Sequence, residues 1–139
     1  MKQLLYLFLF VNVCLSSSCS EKSQRRLQYI SNGHQLYLTH CVNCHQENGS
    51  GLAELIPPIN QADYIKQYPQ KVACMIVYGI EGEMVVNGKT YNAKMPANKT
   101  LTATDVAYLM AYLNNAWGQA ETEITDTKTI EQHLKNCKK

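Results

Sequence analysis

The sequence predicts a mainly α-helical domain carrying one small β-hairpin, and three observations predict it. In several separate stretches of the 139-residue chain, apolar residues recur at spacings of three and four, the period of one helix face. Residues suited to helix termini, among them Pro69, Thr102 and Gly118, bound these stretches. Between residues 84 and 91, two short runs flank Asn87-Gly88, the preferred dipeptide of a type I′ hairpin turn. The length suits one domain and is short for two cores. A net charge of +2 supplies no strong field toward nucleic acid, which is not expected as a partner.

Residues 1–19 read as a lipoprotein-type signal segment rather than part of the fold. Lys2 provides a positive start, and residues 4–13 form an apolar run broken by Asn12. A spanning helix needs ~20 apolar residues, so the run is too short to be one. Leu15-Ser16-Ser17-Ser18-Cys19 is similar to a lipobox, with the leucine one place further from the cysteine than that pattern prefers. Cys19 is the expected lipidation site, which would anchor the protein to a membrane. The other reading is cleavage near Ser18 and a soluble exported product. Residues 20–30 are polar and partly basic, and read as a tether.

Helical patterning starts near Ser31 or Asn32, either of which can cap a helix. Gly33, Leu36, Tyr37 and His40 share its apolar face, and it runs straight into Cys41-Val42-Asn43-Cys44-His45. This is C-x-x-C-H, the attachment sequence of a c-type haem. The order is chemically required: two thiols three positions apart add to vinyl groups on one porphyrin edge, and the next residue offers its imidazole to the iron. A redox dithiol or half of a zinc site is the competing reading. No thioredoxin-like frame and no second ligand pair at zinc spacing accompanies it.

Asn48-Gly49-Ser50-Gly51 is a loop, and Pro57-Pro58-Ile59 is extended. Pro69 opens a helix through Val72, Ala73, Met75 and Ile76 to Gly79. The hairpin of residues 84–91 follows. An irregular segment then carries Met95-Pro96. Thr102, with acidic Asp105 in the first turn, starts the last strong helix. Its stripe is Val106, Leu109, Met110, Leu113 and Trp117, and Gly118 ends it. Within residues 119–139, the part from 121 to 129 reads as loop. Ile130, Leu134 and Cys137 have helical spacing.

The run from Gly33 to His45 resembles the opening of a class I cytochrome c. A small residue stands eight positions before the first cysteine and an aromatic four before it, here Gly33 and Tyr37. The resemblance covers residues 31–118. It implies an all-α cytochrome c fold of about four or five helices around one covalent haem c. His45 is then one axial ligand, and Met95, directly before Pro96, is the other. A carbonyl of Pro57 or Pro58 accepts the second imidazole N–H of His45, fixing its orientation. Leu109 and Tyr112 cross the first helix over Gly33 and Tyr37. Met75 and Met110 read as core, Met84 as hairpin edge, and Tyr64, Tyr68, Tyr78 and Tyr91 as crevice-lining candidates. His34, His40 and His133 read as ordinary histidines.

Cys74 and Cys137 remain once the lipid and haem cysteines are assigned. In an oxidising compartment they suggest a disulfide, two separate thiols being the alternative. The function implied is one-electron transfer between redox protein partners, in an exported, membrane-anchored respiratory carrier that is not an enzyme. The rival readings are a haem subunit of a larger oxidoreductase, and a small haem enzyme or ligand sensor with an open iron site.

Overall fold

A glycine inside a helix costs ~1 kcal/mol against alanine, and Gly33 has a reason to be there. Helix α1 (Lys2–His40) crosses helix α5 (Ala103–Trp117) at this point. A Cβ on Gly33 would lie 2.0 Å from the carbonyl oxygen of Tyr108 and 2.7 Å from Tyr112 Cβ. The two backbones therefore touch, and flanking aromatics seal the crossing on both sides. One turn on, Tyr37 is fully buried, its ring 5.4 Å from Tyr112 and 5.3 Å from Trp117. One turn back, Tyr29 meets Tyr108 edge-on at 4.7 Å.

The computed structural model describes the backbone of residues 2–118 and 126–137, and the side chains of residues 21–118 and 126–137. Within it, α1 is continuous through residues 20–30. The helix thus begins well before the expected start near Ser31 or Asn32, and the stretch expected as a tether is helical. The physical reason is Tyr29, which continues the four-residue spacing of Gly33 and Tyr37 and adds a turn to the crossing; Arg25 lies over its ring at 5.7 Å. The Cys19 side chain lies outside the described residues. Among the described residues, no helix is long and apolar enough to cross a membrane.

Helix α5 starts on a capping box. The Asp105 N–H donates to Thr102 Oγ1 at 3.2 Å, and the Thr102 N–H donates to Asp105 Oδ2 at 2.8 Å. Its buried stripe includes Val106, Leu109, Met110 and Leu113; burying each large aliphatic stabilises by ~1.5–3 kcal/mol. Helix α4 (Pro69–Tyr78) has proline in its first turn and adds Val72, Ala73, Ile76 and Val77 to the same core. Helix α6 (Thr127–Asn136) closes it with Ile130, which is fully buried. The loop expected to reach residue 129 ends earlier, because Asp126 Oδ1 accepts the Thr129 N–H at 2.8 Å and caps α6. Residues 119–125 lie outside the described residues.

A disulfide joins Cys74 of α4 to Cys137 at the end of α6, with Cα atoms 5.7 Å apart and a separation of 63 residues. Closing a loop of that size in the unfolded chain stabilises by about 4 kcal/mol on the chain-entropy account. The C-terminal extension is thereby fastened to the helix whose other face looks into the site described below.

Three short elements complete the fold: α2 (Val42–His45), α3 (Asp63–Gln67) and a hairpin of β1 (Met84–Val86) with β2 (Lys89–Tyr91). Met84 pairs with Tyr91 and Val86 with Lys89. Asn87 has φ 52° and Gly88 φ 76°, the two left-handed residues a type I′ turn requires. A two-stranded ribbon is marginal alone, and α3 supports it. The Asp63 N–H donates to Asn87 Oδ1 at 3.0 Å, and the Asn87 N–H donates to Asp63 Oδ1 at 2.9 Å. Ala62, Val86 and Tyr91 bury a small second cluster between them. Helix α3 carries too little periodicity to be read from sequence. With it and the one-turn α2, the described residues hold six helices against the four or five expected, in a mostly helical fold with one hairpin.

Candidate functional site

The site begins where α1 ends. The Cys41 N–H still bonds the Tyr37 carbonyl at 2.9 Å. The His45 and Gln46 N–H groups bond the carbonyls of Cys41 and Val42, each at 2.9 Å. One helical turn thus sets Cys41, Cys44 and His45 at spacings of three and four, on one side of the chain.

The chain then reverses. Gln46 takes φ 64° and ψ 161°, a region nearly confined to glycine that costs ~1–3 kcal/mol for other residues. The Gly51 N–H returns to the His45 carbonyl at 3.0 Å, and the N–H groups of Ile59 and Asn60 bond the Gly49 carbonyl at 2.8 and 2.9 Å. This folding carries Pro57 and Pro58 back to His45.

The result is an open cleft with almost wholly apolar walls, the usual character of a cofactor site. Cys41, His45, Pro57 and Pro58 border it on one side. Helix α4 contributes Val72, Met75 and Ile76, the hairpin Met84 and Val86, and Met95 completes it. Met95 also borders the neighbouring part of the cleft that holds both Cys41 and Cys44.

Met95 is mounted on the end of α4. Its carbonyl accepts the Ile80 N–H at 3.1 Å and its own N–H donates to the Ile80 carbonyl at 3.0 Å. Gly79 makes the approach possible. Its φ is +72°, and a Cβ there would lie 2.5 Å from the Met95 carbonyl oxygen. The far side of the segment is tied to α1 by Asn98, whose side-chain nitrogen is 3.0 Å from His40 Nδ1 and whose Oδ1 accepts the Thr100 hydroxyl at 2.7 Å.

Burial pushes the His45 imidazole below its ordinary pKa, and the Pro57 carbonyl beside it acts the other way. Nδ1 is buried without a partner at full hydrogen-bonding geometry. Burial is the larger of the two influences and decides the direction. His45 is thereby kept neutral, the form that binds a metal. Burial, with the adjacent Cys44, pushes the Cys41 thiol up to about 11. A redox dithiol needs the opposite, a thiol with a lowered pKa. Cys41 and Cys44 are unbridged, while Cys74 and Cys137 are joined. Two unbridged thiols at the edge of an apolar cleft, with a buried neutral imidazole, fit a covalently held haem.

The remaining candidates fall in different places. Met110 is core, as expected, whereas Met75 is half-buried in the cleft wall and Met84 faces the cleft from the hairpin. Tyr64 lines the cleft. Tyr91 is buried under the hairpin, and Tyr68 and Tyr78 are partly exposed. His34 packs on Tyr112 at 5.0 Å, His40 stands at the rim, and His133 is on α6. Sequence reasoning missed the roles of Gly79 and Gln46. The signal for Gly79 was present as a glycine ending an apolar helix; nothing local marks Gln46 as left-handed.

A helical shell around one cleft, with a one-turn thiol–thiol–imidazole edge, defines a protein built to hold a haem by covalent bonds. The sequence model of the cytochrome c family matches residues 30–117, more than half of the chain, and the chain belongs to that family. It is similar to cytochrome c-552 of Thermus thermophilus, 28% identical over 97 residues, which is 66% of this chain and 72% of that protein. A second cytochrome c-552 of Thermus thermophilus, from strain ATCC 27634, is also 28% identical over 97 residues, 64% of its length. The family binds covalently attached haem c and generally carries electrons rather than catalysing reactions.

The mount for Met95 is directly testable. Gly79→Ala forces alanine into the left-handed region against the Met95 carbonyl, which should cost ~1–3 kcal/mol in a guanidinium titration. The Ile80 amide, bonded to Met95, should lose protection in hydrogen exchange. Unchanged protection at Ile80 would show that the close approach does not hold the segment.

Proposed function

We propose that the chain is an exported one-electron carrier whose haem is fastened by Cys41 and Cys44 and ligated by His45 and Met95. The observation that carries the reading is the convergence of Cys41, Cys44, His45 and Met95 on one apolar cleft. Bound haem c supplies the one-electron couple between ferric and ferrous iron.

The chain's own residues set the terms of that couple. The α2 turn holds both thiols and the imidazole in one rigid unit. Pro57 offers its carbonyl to His45, which orients the ring and raises its basicity. The Ile80–Met95 backbone pair holds Met95 in the lining of the cleft. Thioether ligation raises the reduction potential, and the apolar walls favour the less charged ferrous state. These features suit a carrier on the oxidising side of a respiratory chain, exchanging electrons with protein donors and acceptors.

Anchoring by a lipid on Cys19 is part of the proposal and rests on the serine-rich approach to that residue. Mass spectrometry of the mature N-terminus reads it directly: a diacylated Cys19 supports the anchor, and an unmodified terminus after Ser18 makes the protein a soluble exported carrier.

Three methionines border the cleft, so the ligand assignment has a discriminating test. A thioether on ferric iron gives a weak charge-transfer band near the red edge of the visible spectrum. Met95→Ala should abolish it and lower the reduction potential, since losing a soft thioether favours ferric iron. Met75→Ala and Met84→Ala should keep the band. A wild type without the band that binds carbon monoxide readily when reduced would indicate an open iron site, and the sensor or enzyme reading would replace this one.

A further inference from the structure

The chain leaves His45 through a conformation that suits glycine, yet the residue there is Gln46, with φ 64° and ψ 161°. Something must hold it. The Gln46 carbonyl accepts two hydrogen bonds: the Tyr37 hydroxyl donates at 2.6 Å and the Gly49 N–H at 3.1 Å. The Tyr37 bond is the shorter, and it comes from outside the turn, from the last part of α1.

Tyr37 has two separable functions in this arrangement. Its ring fills the crossing with Tyr112 and Trp117, and a phenylalanine would fill it equally well. Its hydroxyl is not needed for that packing. The side chain is fully buried, and burial raises its pKa, so the hydroxyl stays protonated and remains a donor. The carbonyl it bonds belongs to Gln46, the residue directly after His45, in the peptide joining Gln46 to Glu47. The His45 carbonyl is bonded in turn by the Gly51 N–H at 3.0 Å, at the start of the loop that returns Pro57 to the imidazole. Relaxation at Gln46 would rotate the peptide plane between His45 and Gln46 and move that loop.

We propose that Tyr37 is a positioning residue for His45, its hydroxyl holding Gln46 in the turn that fixes the imidazole and its Pro57 carbonyl. The inference rests on the reading of His45 as the haem ligand, and it adds a part of α1 to the apparatus that orients that ligand.

The experiment uses the full-length, haem-loaded protein as wild type, Tyr37→Phe, Gln46→Gly and the double variant. Amide exchange is followed at Gly51 and Leu109, together with the paramagnetically shifted ring resonances of His45 in the ferric state. Tyr37→Phe should speed exchange at Gly51 at least tenfold and move the His45 resonances, while Leu109, on the α5 side of the crossing, changes less than twofold. In the Gln46→Gly background the same substitution should change Gly51 less than twofold, because glycine holds the turn unaided. The proposal is overturned by Gly51 exchange within twofold of wild type in Tyr37→Phe, by Leu109 loosening as much as Gly51, or by an equal effect in both backgrounds. Should Tyr37→Phe yield no folded haem protein, its recovery by adding Gln46→Gly supports the proposal and failure to recover overturns it. Absence of any paramagnetic shift on His45 in wild type identifies failure of the ligand reading; unchanged Gly51 exchange with that shift present identifies failure of this inference.

Discussion

The close approach of α1 and α5 at Gly33 is the constraint on which the rest depends. Only a residue without a Cβ allows the backbone of α1 to lie against the carbonyl of Tyr108. That contact fixes the placement of α1, which ends at His40 and leads directly into Cys41. It also fixes where α5 begins, and the segment leading into α5 carries Met95 and Asn98. Asn98 meets His40 at 3.0 Å, so the two walls of the cleft are joined directly as well as through the crossing. A larger side chain at residue 33 would displace the thiol edge and the thioether wall relative to each other.

A second layer of organisation runs through α4. One side of this helix enters the common core with Val72, Ala73, Ile76 and Val77. Met75 lies in the cleft wall, Gly79 and Ile80 receive Met95, and Cys74 is joined to the end of α6. The C-terminal extension is therefore part of the scaffold behind the cleft. Its value is greatest in a small domain, where a single core has limited area and a covalent tie adds stability the core cannot supply.

Much of this was legible in the sequence, for physical reasons specific to each element. The thiol–thiol–imidazole order has one strong chemical meaning, and the capping box at Thr102, the proline at residue 69 and the Asn87-Gly88 turn are local signals that need no tertiary help. The upstream length of α1 was not legible, because residues 20–30 are polar and a single aromatic, Tyr29, carries their packing. Helix α3 was hidden because it is one short turn stabilised by exchange of hydrogen bonds with Asn87, a partner 24 residues away. Spacing could not show that Met75 and Met84 border the same cleft as Met95, since their convergence comes from α4 and the hairpin packing around one space. Gln46 illustrates the general limit: its conformation is imposed by a hydroxyl from α1, and its own sequence neighbourhood gives no sign of it.

The central claim is that Cys41 and Cys44 serve as the covalent edge of a haem site. Acid–acetone extraction followed by a pyridine haemochrome spectrum and peptide mass mapping tests it most directly. The account predicts that one haem stays with the protein, gives the spectrum of a thioether-linked porphyrin, and maps to the peptide containing Cys41, Cys44 and His45. Haem passing into the solvent, with Cys41 and Cys44 recovered as free thiols, would contradict it.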